Sequence, residues 1–228
     1  AVTLSLDLSD ECRAAGSPVV LFHRSEESGM ASSVNSNNEA AARQIAEFLL
    51  AGDHQRYAYV GGVADSSVNI ARQRGYLTAL QEQGIDDVQV VNGNYDTKQT
   101  IRAAYSLFST PPVPDAIFVA NDHMAITVMD VARYEFGLQV PEELSVIGYD
   151  DTGPSGWPSY ALTSVSQPVQ EMVEAAVDLL MKQIESDTIE PEQITVPGQL
   201  VVRHSARRPR SGVVEKEGVS LFQPQEVK

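Results

Sequence analysis

The sequence predicts an α/β fold built on parallel strands, and three observations carry that prediction. Strand-like and helix-like segments alternate through short links, the pattern of repeated βαβ units. The strand interiors are almost wholly apolar, as in RYAYVGG (56–62) and DAIFVAND (115–122), which suits strands covered on both faces. One run, VPEELSVIGYDD (140–151), leads through Gly148 and Tyr149 into the adjacent carboxylates Asp150 and Asp151. Ligands of open α/β sheets bind outside the carboxyl ends of the strands, so this run predicts a site as well as a strand.

The elements follow in order. AVTLSL (1–6) reads as a strand, LSDECRAAG (8–16) as a short helix and SPVVLFHR (17–24) as a strand. Residues 25–38, rich in Ser, Gly and Asn with few apolar anchors, read as loop. NEAAARQIAEFLLAG (38–52) is a helix with Ile45, Phe48 and Leu49 on one face and Gly52 as its C-cap. After the strand at 56–62, a helix is expected over about 66–83 with Leu77 and Leu80 inward. VQVVNG (88–93) is a strand and TKQTIRAAYSLFS (97–109) a helix. The strand at 115–122 runs into a helix with Met124, Val128, Val131 and Ala132 at helical spacing, capped by Asn121 or Asp122. LSVIGYD (144–150) is the next strand, and VQEMVEAAVDLLMKQIES (169–186) an amphipathic helix. ITVPGQLVVRHS (194–205) is extended and broken near Pro197 and Gly198. RHSARRPR (203–210) reads as a solvated arginine cluster, and 209–228 as a disordered tail.

Composition narrows the function. The 228 residues carry a formal net charge of −15, which disfavours a direct grip on nucleic-acid phosphates. No apolar stretch approaches membrane-span length, and the N-terminal residues lack a secretory pattern. Cys12 is the lone cysteine, read as inert packing and suited to a reducing, cytoplasmic setting. No GxSxG elbow, P-loop or GxGxxG motif occurs, and His23, His54, His123 and His204 lack metal-ligand spacing. A non-enzyme with no metal, no cofactor and no catalytic residues is expected.

FVANDHMA (118–125), FGLQVPEELSVIGYDD (136–151), LTSVSQPVQEM (162–172) and LVVRHS (200–205) occur together, with ARQRGYLTAL (71–80) after YVGG (59–62). In that order and spacing the chain resembles, from about residue 17 to 208, the effector-binding domain of the lactose-repressor (LacI/GalR) family of bacterial transcription regulators. The resemblance implies the type I periplasmic-binding-protein fold, two Rossmann-like lobes with a small molecule in the cleft. It assigns residues 1–35 and 165–196 to an N-terminal lobe that is incomplete in this chain, and 36–164 and 197–208 to a C-terminal lobe. It also implies a homodimer, and operator DNA bound through a helix-turn-helix that this chain does not contain. A periplasmic-type solute-binding protein for sugars is the rival on the same fold, and an enzyme of flavodoxin-like topology the rival from another class.

For the ligand, residue chemistry and resemblance meet at a few positions. Asp150, ending a buried strand, would accept from vicinal hydroxyls or ring N–H groups, whereas Asp151 reads as a turn cap. The resemblance turns Arg72, four residues before Tyr76, into the cleft, where its planar fork suits paired hydroxyls or a carboxylate. It places Asn121 on the ligand, a role that competes with helix capping. Tyr95 either stacks on a ligand ring or covers the lobe edge. Gln167 serves either ligand or hinge, and Trp157 either walls the cleft or packs its loop. Ser66 and Val68 fall where relatives hold polar contacts, but Val68 is apolar and does not carry that role. This set suits a sugar, a sugar acid, or a purine or nucleoside.

Overall fold

The structure, a computed structural model, describes residues 11–12, 14–25, 29–186 and 190–224. The strand expected over 1–6 lies outside the described residues, as does part of the helix expected over 8–16. The chain divides into two compact units, one of Ala1–Asn37 with Pro168–Pro197 and one of Asn38–Gln167 with Gly198–Lys228.

The first unit holds β1 (Val20–Phe22), β2 (Ser32–Ser36) and β8 (Gln193–Val196), parallel, with β2 in the middle. Helix α5 (Val169–Glu185) packs Met172 and Leu179 onto Val34. Strand β2 corrects the loop expected over 25–38. Its sequence, SSVNS, has no apolar alternation, yet it is largely buried. Side-chain partners make this possible: Ser32 Oγ accepts from Gln183 Nε2 and from the Glu192 N–H, and Ser33 Oγ donates to Gln193 Oε1. A polar strand can be buried when its hydroxyls are satisfied.

In the second unit, β3 (Tyr57–Gly61), β4 (Val88–Asn92), β5 (Ala116–Val119), β6 (Ser145–Asp150) and β7 (Thr163–Ser166) form a parallel array in the spatial order β4-β3-β5-β6-β7. Helices α1 (Asn38–Ala51), α2 (Ser67–Gln81), α3 (Thr97–Ser109) and α4 (Asp122–Glu135) alternate with these strands. The expected elements from 38 to 150 therefore stand, for the reason the sequence suggested. Strand interiors such as Ala58, Tyr59, Val60, Ile117, Phe118, Val146 and Ile147 are fully buried. Capping sets two helix starts: Asp96 accepts from the Gln99 N–H of α3 and Asn121 from the Met124 N–H of α4. At the end of α1 the left-handed residue is Asp53, with φ 57°, and not the expected Gly52.

Helices α1 and α2 pack closely because Gly75 has no side chain. A Cβ there would lie 2.1 Å from the Glu39 carbonyl oxygen. The buried face of α2 comprises Val68, Asn69, Arg72, Gly75, Tyr76, Ala79 and Leu80, so two polar residues lie within an otherwise core-facing stripe.

The C-terminal expectations need two corrections. The arginine cluster is solvated only in part: Arg203 pairs with Asp151 at 2.6 Å and Arg207 with Asp115 at 3.5 Å, while Arg208 and Arg210 are exposed. Nor is 209–228 disordered over its described part. After β9 (Gln199–Val201), strands β10 (Val213–Lys216) and β11 (Val219–Phe222) form an antiparallel hairpin that pairs with β9 and extends the sheet to β10-β11-β9-β7. Phe222 is buried edge-on against Phe48 at 5.2 Å, and Gln44 Nε2 donates to its carbonyl. A hairpin with one apolar face has a weak sequence signal when its strands are this short.

At the amino ends of β3 and β5, Asp115 accepts from the Arg56 N–H at 2.9 Å and lies 3.9 Å from His54 Nδ1. Burial, and then the nearby Arg207, lower the His54 pKa to about 4, so the ring is neutral at pH 7.

Phe222→Ala should cost about 3 kcal/mol, the range for deleting a buried phenyl ring. Urea unfolding of the second unit would measure it; a tail that merely trailed the domain would leave the midpoint unchanged.

Candidate functional site

In the chain order of the second unit the parallel strands run 2-1-3-4-5, with the switch between β3 and β5. Open sheets of this order bind ligands at the carboxyl ends of the strands flanking that switch. Polar side chains gather there.

Arg72 is at the centre, with 2% of its surface exposed. Its Nε donates to Asn38 Oδ1 at 2.8 Å, and its Nη1 donates to the Ala120 carbonyl at the end of β5. The guanidinium carbon stands 3.5 Å over the Tyr149 ring, a cation–π contact. Nη2 is buried without a hydrogen-bond acceptor and lies 3.6 Å from Asp150 Oδ1. Gly75 makes this arrangement possible, because the close α1–α2 contact delivers Asn38 to Arg72.

Asp150 ends β6 with φ 116°, and Asp151 follows at φ 51°. Two consecutive non-glycine residues at positive φ are strained, and surrounding structure must hold them. Gln167 Nε2 donates to Asp150 Oδ1 at 2.5 Å. Burial pushes the Asp150 carboxyl above the usual range, against the opposing pull of Arg72 and Gln167.

Tyr95, at φ 57°, lies over Gly62; a Cβ on Gly62 would sit 2.0 Å from its ring. Burial raises its hydroxyl pKa, Arg72 opposes that rise and Asp150 adds to it, and Ser66 hydrogen-bonds to the hydroxyl. Asn69 Oδ1 accepts from the Gly62 N–H at 2.7 Å and from Tyr59 Oη at 2.9 Å, which steadies that strand end.

The structure thus brings Arg72, Asp150, Gln167 and Tyr95 into one group. Asn121 lies at the same strand ends, where its Oδ1 accepts from the Met124 N–H as the α4 cap. Trp157 follows a short 3-10 turn (Gly153–Gly156) and is 58% exposed, so it is not the packed loop anchor of one reading. Asp151 is held by Arg203 and does not cap the turn.

Sequence reasoning missed three residues here. Asn38 looked like an ordinary helix start, and Tyr149 like one more apolar strand position. Asp122 appeared only as an alternative cap. It is fully buried and accepts from the Thr152 N–H at 2.8 Å, Ser155 Oγ at 2.6 Å and Ser164 Oγ at 2.6 Å. The paired serines and threonine after β6 and in β7 were the available signal. Burial raises the Asp122 pKa to about 6, and the hydroxyl and amide donors limit the rise.

This shift sets a pH dependence. A raised carboxyl pKa means the folded state binds the proton more tightly than the unfolded chain. The stability from Asp122 is therefore full below its unfolded pKa and falls as pH rises through about 6. The total loss is about 3 kcal/mol from the size of the shift. Urea titrations at pH 5 and pH 7 should find the stability difference between wild type and Asp122→Asn shrinking toward pH 7; an unchanged difference would count against a raised Asp122 pKa.

Comparison with known proteins places this geometry. Residues 32–206 match the periplasmic binding protein-like domain family. The chain is 32% identical over 201 residues to catabolite control protein A of Priestia megaterium, covering 87% of this chain and 60% of that protein. It is 30% identical over 191 residues to the ribose operon repressor of Escherichia coli K12, covering 83% and 58%. The chain thus spans a little under two thirds of these curated relatives. Among solved structures it superposes on a LacI transcriptional regulator from a Rhodococcus species with a TM-score of 0.82 at 26% identity, over 91% of this chain and 76% of that one. On the complex of the transcriptional regulator CelR with cellobiose the TM-score is 0.83 at 30% identity, over 89% and 63%. By the match over most of its length, and by the regulators it resembles, the chain belongs to the periplasmic-binding-protein-like family as an effector-binding domain of the LacI/GalR type.

Proposed function

We propose that this domain senses a sugar or sugar-like effector at the carboxyl ends of β3 to β7, and that occupancy modulates DNA binding by a helix-turn-helix elsewhere in the parent regulator. The observation that carries this reading is the pair of Arg72 and Asp150. A buried guanidinium nitrogen without an acceptor stands 3.6 Å from a carboxylate oxygen. That separation is too long for a hydrogen bond, and it leaves both groups able to bind the same ligand hydroxyls.

In this reading Arg72 donates, Asp150 accepts, and Gln167 holds Asp150 in place. Tyr95 offers a ring face for stacking, Asn121 offers Nδ2, and the exposed Trp157 ring covers the ligand. A sugar acid, purine or nucleoside would meet the same donors and acceptors. Relatives support the sugar class: one is named a ribose operon repressor, and another structure holds cellobiose.

The same reading makes the chain a cytoplasmic sensor and not an enzyme. DNA recognition through two half-sites calls for a homodimer. A relative is named an HTH-type transcriptional repressor, which supports the DNA partner. No described helix is long and apolar enough to cross a membrane. An effector that binds one conformation of the domain better than another shifts that equilibrium by its differential affinity.

Calorimetric titration against ribose, cellobiose, sugar acids and purine nucleosides tests the reading. At least one should bind, and Asp150→Ala should weaken it by roughly tenfold or more, the scale of a charge-assisted hydrogen bond. The variant should keep the wild-type circular-dichroism spectrum. Silence across the panel, or unchanged affinity in Asp150→Ala, would overturn the assignment.

A further inference from the structure

We infer that Asp122 is a positioning residue: from inside the domain it sets the conformation of the 150–156 loop, and through that loop the Asp150 carboxylate. The inference rests on the effector reading only for the purpose of the loop; the placement itself stands on geometry.

Asp122 is spare as a helix cap, because Asn121 already supplies the cap of α4. Its side chain turns instead to the two neighbouring strands. One oxygen accepts from the Thr152 N–H and from Ser155 Oγ, both in the loop after β6. The other accepts from Ser164 Oγ in β7. Ser164 Oγ in turn accepts from the Asp151 N–H at 3.2 Å. One carboxylate therefore holds the residues that follow Asp150 directly and, through Ser164, by a second route.

The fold makes room for this carboxylate. A Cβ on Gly148 would lie 2.3 Å from Asp122 Oδ1, so β6 carries glycine where the carboxylate crosses it. The loop also has something to resist. Asp150 and Asp151 occupy positive φ in succession, a conformation that persists only where its surroundings over-determine it. The carboxylate supplies that constraint with hydrogen bonds to an ionised group, roughly twice as strong as neutral ones.

Hydrogen exchange of the full chain at pH 7 tests this without any ligand. In Asp122→Ala, amides of 151–157 should exchange on the order of tenfold faster or more, the loss expected for charge-assisted bonds. Amides of β3 and β5 should keep wild-type rates. Asp122→Asn keeps an acceptor oxygen and should recover much of the protection. Anisotropy of Trp157, the single tryptophan, should fall in the same order. Should Asp122→Ala fail to fold, Ser164→Ala removes one arm and should loosen the same amides more weakly. Unchanged exchange at 151–157, or a uniform rise across the whole second unit, would overturn the inference and reduce Asp122 to core packing. Asp150→Ala, which tests the effector reading, should leave the amides of 152–157 near wild type, so the two ideas fail separately.

Discussion

Burying the Arg72 guanidinium is the constraint around which the second unit is organised. A charge removed from water costs several kcal/mol unless it is paired and its donors are satisfied. The domain meets that cost with a side-chain amide from the start of α1, a strand-end carbonyl from β5, an aromatic face from β6 and a carboxylate one residue further on. The partners come from three elements, α1, β5 and β6, so the arginine ties the carboxyl edge of the sheet to the α1–α2 pair. One nitrogen, Nη2, is left buried without an acceptor.

Four aspartates show how environment divides one chemistry into separate tasks. Asp115 collects backbone N–H groups and arginines at the amino ends of the strands and acts as a staple. Asp151 is neutralised by Arg203. Asp150 stays partly exposed, with Arg72 and Gln167 to one side. Asp122 is enclosed among hydroxyls. Of the four, Asp150 ends a strand and keeps the most side-chain exposure beside a cation.

The helices and strands from 38 to 150 were legible in the sequence because their apolar residues keep a regular period and their ends carry Asp96 and Asn121. Asp150 was legible as a carboxylate ending an apolar strand, whereas the reading of Arg72 came through a family resemblance, since an arginine on a helix is ordinarily solvated. What escaped notice lacked periodicity. Strand β2 is buried on serine hydroxyls, and hydroxyls satisfied at long range leave no local pattern. The terminal hairpin is built of two four-residue strands, too short to set up a clear alternation. Asp122 and Asn38 derive their roles from partners 30 or more residues away, which one-dimensional spacing does not encode.

The terminal hairpin also decides which strand is the outer edge of the sheet. It begins after residue 206, where the family match ends, and it pairs with β9. Without it, β9 would present unpaired N–H and C=O groups beside the apolar Leu200 and Val201, a template for another chain. With it, the edge falls on β10, whose Glu215 and Lys216 are a charged rim that discourages strand addition. A few residues beyond the shared domain thus turn an aggregation-prone border into a solvated one.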